Sequence, residues 1–445
     1  MTLPGNAPLV RREKIGLALF GLVVLGFGVI TEIRSAFQDT RKTDVGVYLR
    51  AGWAARTGHD IFEVIDNNGW HYCYPPTFAL AISPLGDPLP GQPREGYPPY
   101  ALSVALWYLF SVACIAWATH TLASAVVPDT IRGSRRWWYA RTIPVYFGVG
   151  GIGFTLGRGQ VNILVVAFVS ASFAAAVSNR RVRSGMWLAS AIALKVIPAY
   201  LLLFPFVRRD RRAFVGVALG LTMLLGVVPS LWWGVDGMID SNRKVVDLVL
   251  KPGTTGEGDQ TRAKELTGTT STDSQSFQAL IHALQHPDPE SRPMEASRET
   301  RLAHVAICGL LTAITFWVGW RRLGNTPGDQ LVYLGSLCSV MLLASPVSHM
   351  HYYAFAFPLV AGLWLRSLAQ RPGEVAADRH TTYVLIVWGI ATALPLFPGD
   401  FFDRIREGGL GVSATVGLWA FGLATITRTP ATAAKKHFEP LRLAA

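Results

Sequence analysis

The residues of this chain best suited to chemistry sit at the edges of apolar runs. Asp44 opens the stretch "TDVGVYLRAGWAARTGHDIFEVIDNNGWHYCYPP" over residues 43–76, shortly after an apolar run that ends at Ile33. A carboxylate at a membrane edge serves as a general base when apolar surroundings raise its pKa. The same residue can also stand as the N-cap of the helix that "VGVYLRAGWAAR" predicts. "GRGQVN", residues 157–162, brings Arg158, Gln160 and Asn162 to the junction of two further apolar runs. Donors there suit the phosphate oxygens of a lipid, and a tight turn is the plainer account. Lys195 lies inside the apolar run "ASAIALKVIP", where an ammonium needs an anion, water or a route to the interface. "SPVSHMHYY", residues 345–353, adds His349 and His351. On a helix two imidazoles at that spacing point different ways. With Ser348 they suit phosphate or sugar hydroxyls, while Tyr352 and Tyr353 suit the aromatic belt of a membrane interface.

Other chemistries lack their parts. No glycine-rich loop stands between a strand and a helix to hold a nucleotide, and 34–99 has no Asp-x-Asp pair for a divalent metal. Neither a cofactor nor a metal ion is called for. Of the four cysteines, Cys114, Cys308 and Cys338 fall in apolar runs and Cys73 in a loop, which gives no disulfide framework.

These residues must be held by membrane helices. The chain has 445 residues, 50% of them hydrophobic and only 16% charged, against about a quarter charged in soluble domains. Runs of roughly 20 apolar residues cross a bilayer as helix, because a spanning backbone must satisfy its own hydrogen bonds. Candidate crossings are roughly 15–33, 100–127, 142–157, 160–178, 213–233, 301–320, 329–345, 349–369, 380–397 and 408–427. The net charge of +12 sits in short clusters between them, at 11–14, 132–136, 179–183, 208–212 and 321–322. That is the positive-inside pattern of cytoplasmic loops and not a nucleic-acid stripe. It predicts a multi-pass plasma-membrane protein with both termini cytoplasmic and with 34–99 and 234–300 as long outer loops. No cleavage site follows the first run, so it reads as a retained helix.

Residues 184–207 do not fit one crossing, because basic clusters flank both ends. Two half-helices that meet near Lys195–Pro198 keep both clusters on one side and lift Lys195 towards the outer face; a single helix with one basic cluster misplaced is the alternative. Pro198 disfavours helix at Ile197 and supplies the break. Prolines exclude regular helix from "PLGDPLPGQPREGYPP", and "SFQALIHAL" predicts a short amphipathic helix capped by Ser274 or Ser276 and lying on the membrane.

"TDVGVYLRAGWAARTGHDIFEV…WHYCYPPTFALAISPL", "GRGQVNILVVAFV", "SGMWLASAIALKVIPAYLLLFPFVRRDRRA" and "SPVSHMHYYAFAFPLV" together resemble glycosyltransferase family 87 in content and order. This is the family of polyprenyl-phosphate-mannose-dependent alpha-mannosyltransferases with GT-C architecture, and the likeness covers roughly residues 40–360. The resemblance implies an all-α polytopic membrane protein, a GT-C-type bundle of about 10–12 transmembrane helices. It implies a transmembrane domain over 1–430, with a cytoplasmic tail at 431–445. The implied reaction moves a hexose, the family's mannose, from a polyprenyl-phosphate sugar to a glycan or glycolipid acceptor at the outer face, by a single inverting displacement. Asp44 matches the family's catalytic base, and Lys195 matches the lysine of its "LKxxP" segment. Arg158, Gln160, Asn162, Tyr74, His349 and His351 are the further candidates, from the residue pattern, for binding the donor and its lipid phosphate. Two stretches depart from the family pattern: His71-Tyr72-Cys73 before the Tyr-Pro-Pro, and the polar insert of 234–300. A lipid-linked polysaccharide ligase or polymerase shares this topology. A secondary transporter would also bury Lys195 and Arg158, but with related halves and matching breaks, and only one break is found.

Overall fold

The structure, a computed structural model, describes residues 5–38, 41, 43–251, 274–288, 291–397 and 399–428. Among these residues the regular structure is helical, with three isolated β-bridges. Five helices are long and apolar enough to cross a membrane by themselves: Arg11–Ile33, Tyr100–Val126, Arg211–Leu250, Arg298–Arg322 and Leu410–Thr427. The fold is that of an all-α polytopic membrane protein, and its other long paths are built from shorter or broken helices. The tail at 431–445 lies outside the described residues.

The chain opens with α1 (Arg11–Gly28), prolonged by a π-turn over Val29–Ile33. Its Leu22 and Val23 are exposed, as lipid-facing side chains are. α2 (Val45–Thr57) and α3 (Pro76–Ile82) follow before α4 (Tyr100–Val126). α5 (Arg135–Phe147) and α6 (Val149–Arg158) form one path interrupted at Gly148, and α7 (Asn162–Val177) returns beside them. α8 (Arg181–Leu194) leads through a 3₁₀ turn over Ile197–Leu202 into α9 (Leu203–Val207). Next come α10 (Arg211–Leu221) and α11 (Val228–Val245), then α12 (Phe277–Gln285), α13 (Arg298–Arg322) and α14 (Pro327–Ala344). α15 (Phe357–Ala369), α16 (Arg379–Ala393), α17 (Asp400–Glu407) and α18 (Leu410–Thr427) complete the bundle. α14 is buried over nearly its whole length, which fits an apolar helix at the centre of a bundle.

Polar contacts gather the basic clusters at one pole. Arg135 pairs with Glu13 at 2.7 Å, and Arg136 donates to the Leu368 carbonyl at 2.6 Å. Arg366 meets Asp329 at 2.6 Å, and Arg209 covers the Trp320 ring at 4.5 Å. Ser134, Asp210, Thr326 and Asp378 cap the helices that start there, accepting from backbone N–H groups otherwise left without a partner.

The segment 184–207 is a hairpin. Arg181, at its start, lies 3.9 Å from Asp210, just past its end, so both flanking clusters share one pole. Lys195 is the tip, with extended backbone (φ −150°, ψ 126°) that ends α8. The hairpin lies tight on α10. A Cβ on Gly185 would come 1.9 Å from the Ala213 carbonyl oxygen, so only glycine lets these backbones touch.

α2 is buried from Val45 to Ala55, because α3, α4 and the 83–87 segment surround it. Two expectations need revision. The crossing expected over 213–233 does not give way to a polar loop at 234. Gly234 turns (φ 75°, ψ 174°) and helix resumes along "VDGMIDSNRKV", whose Asp240 and Lys244 pair at 2.8 Å. The path expected to be helical from 349 starts instead with a 3₁₀ turn, Met350–Ala356. The short helix at 277–285 is present, and its cap is Ser276, whose Oγ accepts from Ala279 N–H at 3.0 Å. It packs on α13 and buries His282.

Candidate active site

At the pole opposite the basic clusters, a cavity of about 700 Å³ opens among the first loop, the hairpin tip and the 345–352 segment. Asp44, Tyr74, Arg158, Gln160, Lys195, His349 and His351 all line it. Residues far apart in sequence are thus brought to one space by the helices that end there.

Asp44 occupies the N-cap position of α2, yet its side chain accepts no capping hydrogen bond. Its backbone N–H donates instead to the Arg158 carbonyl at 2.9 Å, and its carboxylate faces the cavity. Burial pushes the carboxyl up to about 6, against the opposing pull of the Arg158 and Lys195 cations. A carboxylate that is half protonated near pH 6 suits a general base. Two other acids of this loop are committed elsewhere. Asp60 pairs with Lys244 at 2.5 Å, and Asp66 accepts the Asn68 and Trp70 N–H groups at 2.8 and 2.9 Å.

The 158–160 turn is held from behind. Trp107 on α4 donates to the Gly159 carbonyl at 2.7 Å. Gly159 has φ +64°, and a Cβ there would lie 2.1 Å from Val45, so the turn needs glycine twice over. Gln160 sends its Oε1 back to two phenols, accepting from Tyr48 at 3.2 Å and Tyr74 at 3.3 Å. The guanidinium of Arg158 lies over the Trp70 ring, 5.8 Å from its centre.

Lys195 reaches the same space from the hairpin tip. Its ammonium donates to Asn162 Oδ1 at 2.9 Å and sits 4.0 Å from the centre of the Tyr352 ring. Asn162 is fully buried and does not line the cavity. Its Nδ2 donates to the His351 carbonyl at 3.1 Å, so it ties the lysine to the 345–352 segment. The sequence suggested a donor for phosphate, but in the structure Asn162 supports Lys195, which reaches the cavity.

His349 and His351 do not point apart. His349 is extended (φ −69°, ψ 163°) ahead of the 3₁₀ turn, which brings the two imidazoles to 5.4 Å in near-parallel planes. Sequence reasoning missed Tyr48, Trp70, His71, Cys73 and Tyr352 as lining residues. Tyr48 was legible, one helical turn beyond Asp44. The others needed the fold, since side-chain type alone assigned Tyr352 to a lipid interface. The remaining wall is apolar and includes Val47, Tyr200, Leu250 and Met341. The site therefore offers one carboxylate and two cations beside an apolar surface, a combination suited to a charged headgroup on a lipid chain.

Comparison with known proteins agrees with this chemistry. The chain is 24% identical over 465 aligned residues, covering 98% of it and 95% of the relative, to a protein of Mycolicibacterium smegmatis. That relative is a polyprenol-phosphate-mannose-dependent alpha-(1-2)-phosphatidylinositol mannoside mannosyltransferase. Residues 72–346 match the sequence pattern of glycosyltransferase family 87. The match takes in Tyr74, Arg158, Gln160, Asn162 and Lys195, while Asp44, His349 and His351 stand outside it. With more than half its length matched and an apolar helical bundle around the cavity, the chain belongs to glycosyltransferase family 87 and is a membrane hexosyltransferase.

Proposed function

We propose that this enzyme takes a hexose from a polyprenyl-phosphate donor, mannose by analogy with the relative, and transfers it to a glycan or glycolipid hydroxyl at the outer face of the plasma membrane. The observation that carries this reading is the meeting of Asp44, Arg158 and Lys195 on one cavity with an apolar wall. Asp44 removes the proton of the acceptor hydroxyl as its oxygen attacks the anomeric carbon. The bond from that carbon to the phosphate oxygen breaks, and the polyprenyl phosphate leaves with its electron pair. Lys195 and Arg158 offset the charge that builds on the departing phosphate, the electrostatic part of such catalysis. A single displacement inverts the anomeric centre, so a beta-linked donor gives an alpha product. The basic pole faces the cytoplasm under the positive-inside rule, which puts the cavity at the outer leaflet. The test is purified enzyme with polyprenyl-phosphate-mannose, other polyprenyl-phosphate hexoses and a membrane glycolipid extract. Transfer from the mannosyl donor with inverted configuration is expected. Retained configuration, or no transfer from this donor, would overturn the reading.

A further inference from the structure

Three polar atoms beside the cavity form a closed triangle. Tyr48 OH and Tyr74 OH lie 3.2 Å apart, and both meet Gln160 Oε1, at 3.2 and 3.3 Å. Each phenol carries one proton, and the amide oxygen is the acceptor on which both converge. Turned the other way, the amide would donate to the phenol oxygens and leave the two phenol protons without this shared acceptor.

The triangle is rigidly framed. Tyr48 is fully buried, with Phe78 and Trp107 against its ring at 5.0 and 5.8 Å. Tyr74 is set edge-on to Tyr48 at 5.3 Å and opens the Tyr-Pro-Pro turn. Gln160 is itself 6% exposed, and the exposed part lines the cavity. With its oxygen held inward, the Nε2 amino group is the end left to face the cavity. Unlike Lys195 and Arg158, it is a neutral donor, and it cannot accept.

We infer that Gln160 is a specificity-determining residue that reads one hydroxyl oxygen of the transferred hexose, and that Tyr48 and Tyr74 are positioning residues fixing which way its amide points. The inference rests on the proposed polyprenyl-phosphate hexose donor. The phosphate already has two cations to meet, so a neutral donor on the same wall is better matched to an uncharged sugar oxygen. A site built to hydrogen-bond a hydroxyl discriminates strongly against the analogue that lacks it, because the amide is then left buried and unpaired.

The experiment compares polyprenyl-phosphate hexoses that each lack one hydroxyl with the parent donor, using the full-length enzyme. Each preparation yields a ratio of kcat/KM values, so any loss of folded protein cancels. Wild type should lose roughly 10- to 100-fold on one deoxy donor through its unpaired amide. Gln160→Met should abolish that particular penalty and keep the others. The Tyr48→Phe/Tyr74→Phe double variant keeps the rings but frees the amide to turn, and should weaken the same penalty alone. Penalties that are identical in wild type and Gln160→Met would overturn this inference while leaving the donor reading intact. A wild type that transfers from none of the polyprenyl-phosphate hexoses would overturn both.

Discussion

The backbone N–H of Asp44 donates to the carbonyl of Arg158 at 2.9 Å, which joins the residue carrying the cavity's carboxylate to one carrying a cation. One hydrogen bond thus couples the first loop to the turn between α6 and α7. It also spends the Asp44 backbone on that turn while its side chain is left for the cavity.

Substitution of Asp44 separates a base from a helix cap. Asp44→Asn should cut turnover by roughly 100- to 10,000-fold, the usual worth of a positioned base. The side chain makes no cap in the structure, so Asp44→Asn and Asp44→Ala should both keep near-native thermal stability. Turnover by Asp44→Asn close to wild type would end the assignment.

The pH profile follows from the same carboxyl. Burial raises Asp44 to about 6, so it is protonated below that pH and ionised above it. The log of kcat/KM should rise with pH across the acid range and bend near about 6. A profile still flat down to pH 4.5 would show that no such base titrates in the free enzyme.

Lys195→Ala and Arg158→Ala should each cost roughly 1.5–3 kcal/mol of donor binding or turnover, the scale of a charged hydrogen bond. Asn162→Ala should act through the lysine and weaken the same step, since Asn162 Oδ1 holds its ammonium at 2.9 Å. The measurement is steady-state kinetics on folded variants. Unchanged constants in all three would leave these residues purely structural.

Orientation can be read by labelling. In a variant without the four native cysteines, Gln92→Cys at the cavity pole should react with an impermeant thiol reagent in intact cells. Asn325→Cys, exposed beside the basic pole, should react only after permeabilisation. The reverse pattern would invert the proposed topology.

Packing of the hairpin gives a stability prediction. Gly185→Val would drive a side chain into the backbone of α10 and should cost roughly 1–3 kcal/mol or more, as overpacking does. Activity should fall with it, because the hairpin carries Lys195. Gly21→Ala, where a Cβ meets nothing within 4 Å, should not lower the melting temperature.

The sequence by itself determined the membrane bundle, because long apolar runs separated by basic clusters admit few other structures. It also pointed to a break at Lys195, through Pro198 and the basic clusters at both ends. A single crossing stayed open until tertiary structure brought Arg181 and Asp210 to one pole. Most candidate residues were legible too, since a charge or amide at the edge of an apolar run is costly unless it is used. Tertiary structure alone decided how those side chains divide the work. Asn162 and Gln160 are two residues apart, yet one is buried behind Lys195 and the other reaches the cavity. His349 and His351 face together only because a 3₁₀ turn begins between them. Whether Asp44 caps its helix or faces the cavity depended on Arg158, more than a hundred residues away in the chain. Such partners are invisible to local pattern, because hydrophobic periodicity specifies which face of a helix is buried but not which helix covers it.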